Sequence, residues 1–202
     1  MKSEELREIL KLSNAAADPK GIEKLDAFSK HLEAWNRVHN LTGARTREAM
    51  EEQIVDSAWP LMFLPPVDSL LDIGTGAGFP GMVLAILLPE TECTLCEPLK
   101  KRAAFLRFVA GDLGLGNVTV EAKRADELEA RAYSLITSRA VTDASTLVDW
   151  CRPLIDKSTQ LLFYKGEQVH EETAGLRHCG IEIITRKKRN YLWIKEASKC
   201  LK

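Results

Sequence analysis

An α/β domain built on a mostly parallel sheet of seven strands, with a helical extension at its N-terminal end, is the fold this 202-residue chain predicts. Three observations predict it. Apolar residues recur at helical spacing through the first 66 positions, with no strand pattern among them. From Ser69 onward, short β-type runs alternate with helical ones. The first transition between them reads Leu70-Leu71-Asp72-Ile73-Gly74-Thr75-Gly76-Ala77-Gly78-Phe79-Pro80-Gly81: a strand carrying an acid, a glycine turn, then a helix.

In chain order, Leu6, Ile9, Leu10 and Leu12 give one apolar stripe, and Ile22, Leu25, Phe28, Leu32 and Trp35 give a second. A third helix is expected from Thr46 to Phe63, and Pro65-Pro66 closes the region. Residues 1–66 are therefore read as a helical extension and 67–202 as the main domain. Strands are expected at 69–73, 91–96, 117–121, 134–138, 158–164, 181–185 and 190–196. Helices are expected at 80–88, 99–113, 143–152 and 167–178. Pro80 suits the first helical position, and the apolar run after it is stopped by Pro89. Alternation of this kind argues for parallel strands covered on both faces. The last two strands are joined only by Arg186-Lys187-Lys188-Arg189, so they read as a hairpin whose final strand is antiparallel.

Hydrophobic residues make up 45% and charged residues 28%, as in an ordinary globular protein with a core. A net charge of −1 excludes a strongly basic nucleic-acid binder but leaves room for local basic patches. No apolar run approaches the roughly 18 residues of a membrane span. Five cysteines, an odd number in a chain without a signal peptide, predict reduced thiols and a cytoplasmic location. Cys93-Thr94-Leu95-Cys96 falls within a strand, where positions three apart point to opposite faces, and no zinc-like partner pair follows. The four histidines show no ligand spacing either, so no metal is expected.

The glycine turn predicts a nucleotide-type ligand, because glycines let backbone approach a ligand closely. A carboxylate at the end of the second strand would bind its ribose, and Glu97 stands there, 23 residues after Gly74. Two ligand classes fit. Gly76-Ala77-Gly78-Phe79-Pro80-Gly81 matches the dinucleotide pattern GxGxxG and would suit NAD. Asp72 with Gly74, Gly76 and Gly78 instead looks like motif I of the S-adenosylmethionine-dependent methyltransferases, where the acid faces the cofactor's cationic end. A carboxylate beside a sulfonium and an ammonium is electrostatically sensible, whereas beside a pyrophosphate it is not. The acid therefore favours S-adenosylmethionine and a Rossmann-like methyltransferase domain.

Further segments narrow the resemblance. Trp35-Asn36-Arg37-Val38-His39-Asn40-Leu41-Thr42, Ile54-Val55-Asp56-Ser57, Asp72 to Gly81, Lys101-Arg102-Ala103-Ala104-Phe105-Leu106, Ser138-Arg139-Ala140 and Lys165-Gly166 follow one another as in the RsmG (GidB) family of bacterial ribosomal RNA methyltransferases. The similarity runs from about residue 25 to 195. It implies methylation of guanine N7 in 16S ribosomal RNA, within a small-subunit particle. It also implies that Gly74 and Phe79 contact the cofactor, that Ala125 and Asp126 flank its adenine, and that Arg139 lines the pocket near the transferred methyl. Two departures stand out: Glu97 replaces the family's more usual Asp, and Glu52-Gln53 occupies the place of a basic Arg-His pair.

N7 of guanine carries a lone pair and no proton at neutral pH, so this chemistry calls for orientation rather than a general base. Arg139 and Lys165 are the candidate catalytic residues, orienting the base through O6 or holding its phosphate. Lys100, Lys101 and Arg102, and again Arg186, Lys187, Lys188 and Arg189, are candidate RNA contacts. The alternatives are a small-molecule methyltransferase, an NAD-dependent oxidoreductase and a non-catalytic RNA-binding module.

Overall fold

The computed structural model describes residues 4–13 and 20–201. Three helices come first: α1 (Glu4–Leu12), α2 (Gly21–His39) and α3 (Arg47–Ala58). Leu25, Phe28 and Leu32 bury one face of α2, while the Thr46 hydroxyl caps α3 by accepting from the Ala49 N–H at 3.2 Å. The helix expected to reach Phe63 stops at Ala58 and continues as a 3₁₀ turn, Trp59–Met62. Pro60 is the cause. It has no N–H to give to the carbonyl four residues back, which is that of Asp56. That carbonyl instead accepts from the Tyr191 hydroxyl at 3.0 Å, and the next one, of Ser57, accepts from the Tyr164 hydroxyl at 2.9 Å.

The strands are β1 (Ser69–Ile73), β2 (Glu92–Cys96), β3 (Val118–Glu121), β4 (Leu135–Arg139), β5 (Gln160–Lys165), β6 (Ile181–Arg186) and β7 (Arg189–Ile194). They form one sheet in the order β3-β2-β1-β4-β5-β7-β6. Strands β1 to β5 are parallel, and β7 runs antiparallel to both β5 and β6, so the expected hairpin is present. Between them lie α4 (Gly81–Leu87), α5 (Lys100–Asp112) and α6 (Ala144–Cys151). The helix expected over 167–178 divides into a short α7 (Val169–Glu172) and a 3₁₀ segment, Ala174–Cys179. Gly175 stands in the second piece, where it disfavours continuation of an α-helix.

Two apolar layers cover the sheet. One gathers Leu25, Phe28, Leu32 and Ile54 of the N-terminal helices with Leu70, Met82, Phe105 and Tyr191. The other gathers Leu71, Ile136, Leu147 and Phe163. The N-terminal helices thus share a core with the sheet. Cys93 belongs to the first layer and Cys96 to the second, as their strand positions require. Burial pushes both thiols up to about 12.

Not every thiol is free. Cys179 and Cys200 form a disulfide with their Cα atoms 4.8 Å apart, linking the segment before β6 to the C-terminal 3₁₀ turn Ala197–Leu201. This corrects the expectation of five reduced cysteines. The two 3₁₀ segments pack side by side, which the linear spacing could not reveal. Among the described residues no helix is long and apolar enough to cross a membrane.

Tyr191→Phe keeps the ring stacked on Trp59, 5.0 Å between centroids, but leaves the Asp56 carbonyl unpaired. The expected loss is about 1–2 kcal/mol in urea unfolding, with an unchanged denaturant slope.

Candidate active site

Strand order reverses at β1, which pairs with β2 on one side and β4 on the other. Loops leaving the carboxyl ends of these strands diverge there and open a crevice. The turn after β1 forms its floor. Gly74 and Thr75 donate to the Cys96 carbonyl at 2.8 and 3.2 Å, tying the turn to the end of β2. Gly74 has φ +67, and a Cβ on it would lie 2.5 Å from a Val141 methyl. At Gly81 a Cβ would lie 2.5 Å from Leu95 and 2.6 Å from an Asp72 oxygen. Both positions therefore require glycine.

Asp72 is fully buried. One oxygen accepts from the Gly81 N–H at 2.8 Å and the other from the Thr137 hydroxyl at 2.7 Å. Expected to face a ligand, its carboxylate instead sits behind the turn, joining β1 and β4 to the start of α4. Burial pushes its carboxyl up to about 6, against the hydrogen bonds from Thr75, Thr137 and Gly81.

Glu97 lies in the crevice itself. Its two oxygens accept from the Gly76 and Leu99 N–H groups, each at 2.9 Å, and the residue is 3% exposed. A carboxylate offers about four acceptor sites, so two remain for a diol. Around it is a pocket of about 300 Å³ lined by Gly74, Leu99, Arg102, Ala125, Asp126 and Val141, among others. Ala140, which the sequence offers only as part of the Ser138-Arg139-Ala140 motif, and Trp150, which it does not single out, also line it. Trp150 was detectable in principle: it is a large aromatic one position off the buried stripe Leu147, Val148 and Cys151 of α6. Ala140 has φ +55, a backbone state that its residue type does not advertise.

Phe79 is buried in the turn, and the Arg139 guanidinium lies 4.9 Å above its ring. Arg139 also donates to the Gln53 side-chain oxygen at 3.1 Å, from the end of β4 across to α3. Burial, then the neighbouring Arg189, lowers its pKa. One buried polar atom in this region, Arg139 Nη1, has no hydrogen-bond partner among the described residues, whereas the Thr75 hydroxyl is turned to the Asp72 carboxylate.

Other expected residues have different employment. Lys165 is 6% exposed and donates to the Thr142 carbonyl and to Glu172, both at 2.6 Å. Glu172 also accepts from the Ala144 N–H at 3.1 Å. Lys165 thus anchors the loop after β4 instead of presenting a cation to the crevice. Arg186, expected to meet phosphate, is 6% exposed and pairs with Asp56 at 2.5 Å, Glu5 at 2.6 Å and Glu52 at 3.1 Å. Lys187 adds pairs to Glu52 and Glu5, and Arg189 one to Asp56. Of that basic run, Lys188 alone has no ion pair among the described residues. The acids come from α1 and α3, elements distant in sequence. Lys100 and Lys101 are exposed on the first turn of α5 without ion pairs among the described residues, and Arg102 lines the pocket.

The segment 35–42 has a structural role as well. The Asn36 side-chain oxygen accepts from the Thr42 N–H at 2.9 Å, and its amide donates to the Ala44 carbonyl at 3.4 Å. Asn40 ends α2 in a left-handed conformation at φ 49.

The family described as rRNA small subunit methyltransferase G, or GidB, matches residues 21–195. The ribosomal RNA small subunit methyltransferase G of Wolinella succinogenes is 49% identical over 188 residues, 93% of this chain and 96% of that protein. Its counterpart from Aliarcobacter butzleri is 40% identical over 190 residues, 94% and 98% of the two chains. Among solved structures, a methyltransferase from Geobacter sulfurreducens is similar in fold, with a TM-score of 0.63 at 12% identity, covering 91% of this chain and 99% of that one.

Asp72 generates a pH-dependent term. Its folded pKa of about 6 exceeds the ordinary 3.8, so the stability it confers is fully present below pH 3.8 and is lost as pH rises through 6. Stability of the wild type relative to Asp72→Asn should therefore increase on acidification between those limits, by on the order of 2–3 kcal/mol. Thermal unfolding of both proteins across that window checks it, and parallel profiles would refute it.

Proposed function

The chain belongs to the rRNA small subunit methyltransferase G family, and we propose on that premise that it transfers a methyl group from S-adenosylmethionine to N7 of one guanine in 16S ribosomal RNA. The observation that carries the reading is Glu97, a buried carboxylate fixed by two backbone N–H groups with its remaining acceptor sites free for a ribose. The apolar walls at Leu99, Ala125 and Val141, beside the bare backbone of Gly74, also fit an adenosine cofactor.

When bound, the cofactor supplies an electrophilic methyl on a sulfonium. The protein's part is placement. Glu97 accepts from the two ribose hydroxyls. Ala125 and Asp126 flank the adenine, and the backbone of the turn at Gly74, Gly76 and Gly78 lets the ligand approach. Asp72 acts through Gly81 and Thr137 to hold that turn. Arg139, set on Phe79 and gripped by Gln53, directs its unpaired Nη1 to O6 of the guanine or to a phosphate. A cation aimed at N7 itself would oppose the reaction, because the product ring is positive. N7 needs no base to remove a proton, and no histidine lines the pocket. Residues 1–66 serve as an extension docked on the methyltransferase domain of 67–202. The cations that meet phosphate are Lys100, Lys101 and Arg102, since the hairpin run is largely neutralised by Glu5, Glu52 and Asp56. The substrate is the RNA as presented in a small-subunit particle, and the protein works in the cytoplasm.

Tritiated S-adenosylmethionine offered with small subunits from a strain lacking the gene should label 16S RNA, released as 7-methylguanine. Gly74→Asp should abolish both labelling and cofactor binding. Glu97→Gln should weaken cofactor binding about tenfold to a hundredfold, because its amide nitrogen must face an N–H donor. Intact cofactor binding without label would overturn the assignment of the acceptor.

A further inference from the structure

The faces of α2 and α5 that meet each other form a mixed aromatic and basic seam. Along α2, His31, Trp35 and His39 recur every four residues. Along α5, Lys101, Phe105, Phe108 and Asp112 share one face in the opposite direction. His31 bonds Asp112 at 2.8 Å and packs edge-on to Phe108 at 5.2 Å between ring centroids. Trp35 then contacts Phe108 at 5.7 Å and Phe105 at 5.3 Å, and His39 follows Trp35 at 5.4 Å. One turn beyond Phe105, at the end of the seam reached by His39, the helix carries Lys101. Its neighbours Leu99 and Arg102 line the cofactor pocket. The seam therefore runs from solvent to the pocket mouth.

Its composition is wasteful for a closed surface. Phe108 is 43% exposed and Leu99 55%. Lys100, Lys101 and Arg102 stand together at a helix start, where positive charge is unfavourable, with no acid paired to them among the described residues. The other basic cluster, by contrast, is met by three carboxylates. An exposed ring, Phe108, backed by the half-buried Trp35 and set beside unpaired cations, suits one partner chemistry: unstacked bases on a phosphate backbone.

We propose that this seam is the docking strip for a single-stranded stretch of ribosomal RNA beside the target guanine. One base stacks on Phe108 and Trp35, while the following phosphates meet Lys100 and Lys101 and lead the strand to the pocket. The inference rests on the reading of the chain as an rRNA methyltransferase and assigns that enzyme's grip on its substrate.

The test uses the full chain and small subunits, or the 16S RNA stripped of protein, with cofactor affinity and thermal unfolding measured in parallel. Lys100→Glu with Lys101→Glu should raise KM for subunits about tenfold or more. It should also flatten the salt dependence of RNA binding by roughly 0.7 per lost phosphate contact, with cofactor affinity unchanged. Phe108→Ala should weaken RNA binding about tenfold without altering that salt slope, and Phe108→Tyr should restore it. The exposed Lys157→Glu, at the far end of the sheet, serves as a charge control and should change neither quantity. Wild-type affinity and slope in the doubly reversed variant would overturn the strip, as would wild-type affinity in Phe108→Ala. Weakening seen with subunits but absent with protein-free RNA would also overturn it, assigning the seam to a ribosomal protein. A wild type that methylates no subunit would instead overturn the functional reading itself.

Discussion

Asp72 is the contact on which the site depends. Its carboxylate is fully buried, yet it joins three elements: β1, which carries it, β4 through Thr137, and the start of α4 through the Gly81 N–H. Burying a carboxylate is unfavourable unless its acceptors are filled, and here both oxygens are filled by groups that must then stay in place. The glycine turn is stretched between that anchor and a second one, Glu97, which takes the Gly76 N–H. Two acids thus clamp the turn from below and from the side. Only the second lines the pocket, where its remaining acceptor sites can meet a ligand. The first supplies rigidity, and the requirement for glycine at 81 follows from how closely Asp72 approaches the backbone.

A second set of charges performs a comparable task at the periphery. Arg186, Lys187 and Arg189 bind Glu5, Glu52 and Asp56, so the β6–β7 hairpin is pinned to α1 and α3. Glu52 and Gln53 are both engaged. Glu52 faces the hairpin cations and Gln53 holds Arg139.

Much of this was legible in the chain. Each strand was recognisable to within two residues at either end because its apolar run is bounded by turn residues, and Glu97 followed from its spacing behind the glycines. What escaped was decided by partners that only folding brings together. Lys165 at a strand end looks the same whether solvated or paired to Glu172. Arg186 looks like a surface cation until Glu5, 181 positions away, is brought beside it. Asp72 stands out in the sequence as an acid before the glycines, but the direction of its carboxylate depends on Thr137, 65 residues on. The Cys179–Cys200 bond was invisible for the same reason, since only packing of two 3₁₀ segments brings the thiols together.

The break in α3 at Pro60 has a consequence for how the molecule is made. The carbonyls of Ser57 and Asp56 receive their hydrogen bonds from Tyr164 and Tyr191, 107 and 135 residues downstream. A nascent chain leaving the ribosome therefore presents its first three helices long before those hydroxyls exist. The helices can form early, but their last turn stays incomplete until β5 and then β7 have been synthesised and placed. A helix made before the sheet is thus finished only by the sheet's later strands, and a truncated product that lacks β7 would betray itself by an unsealed α3.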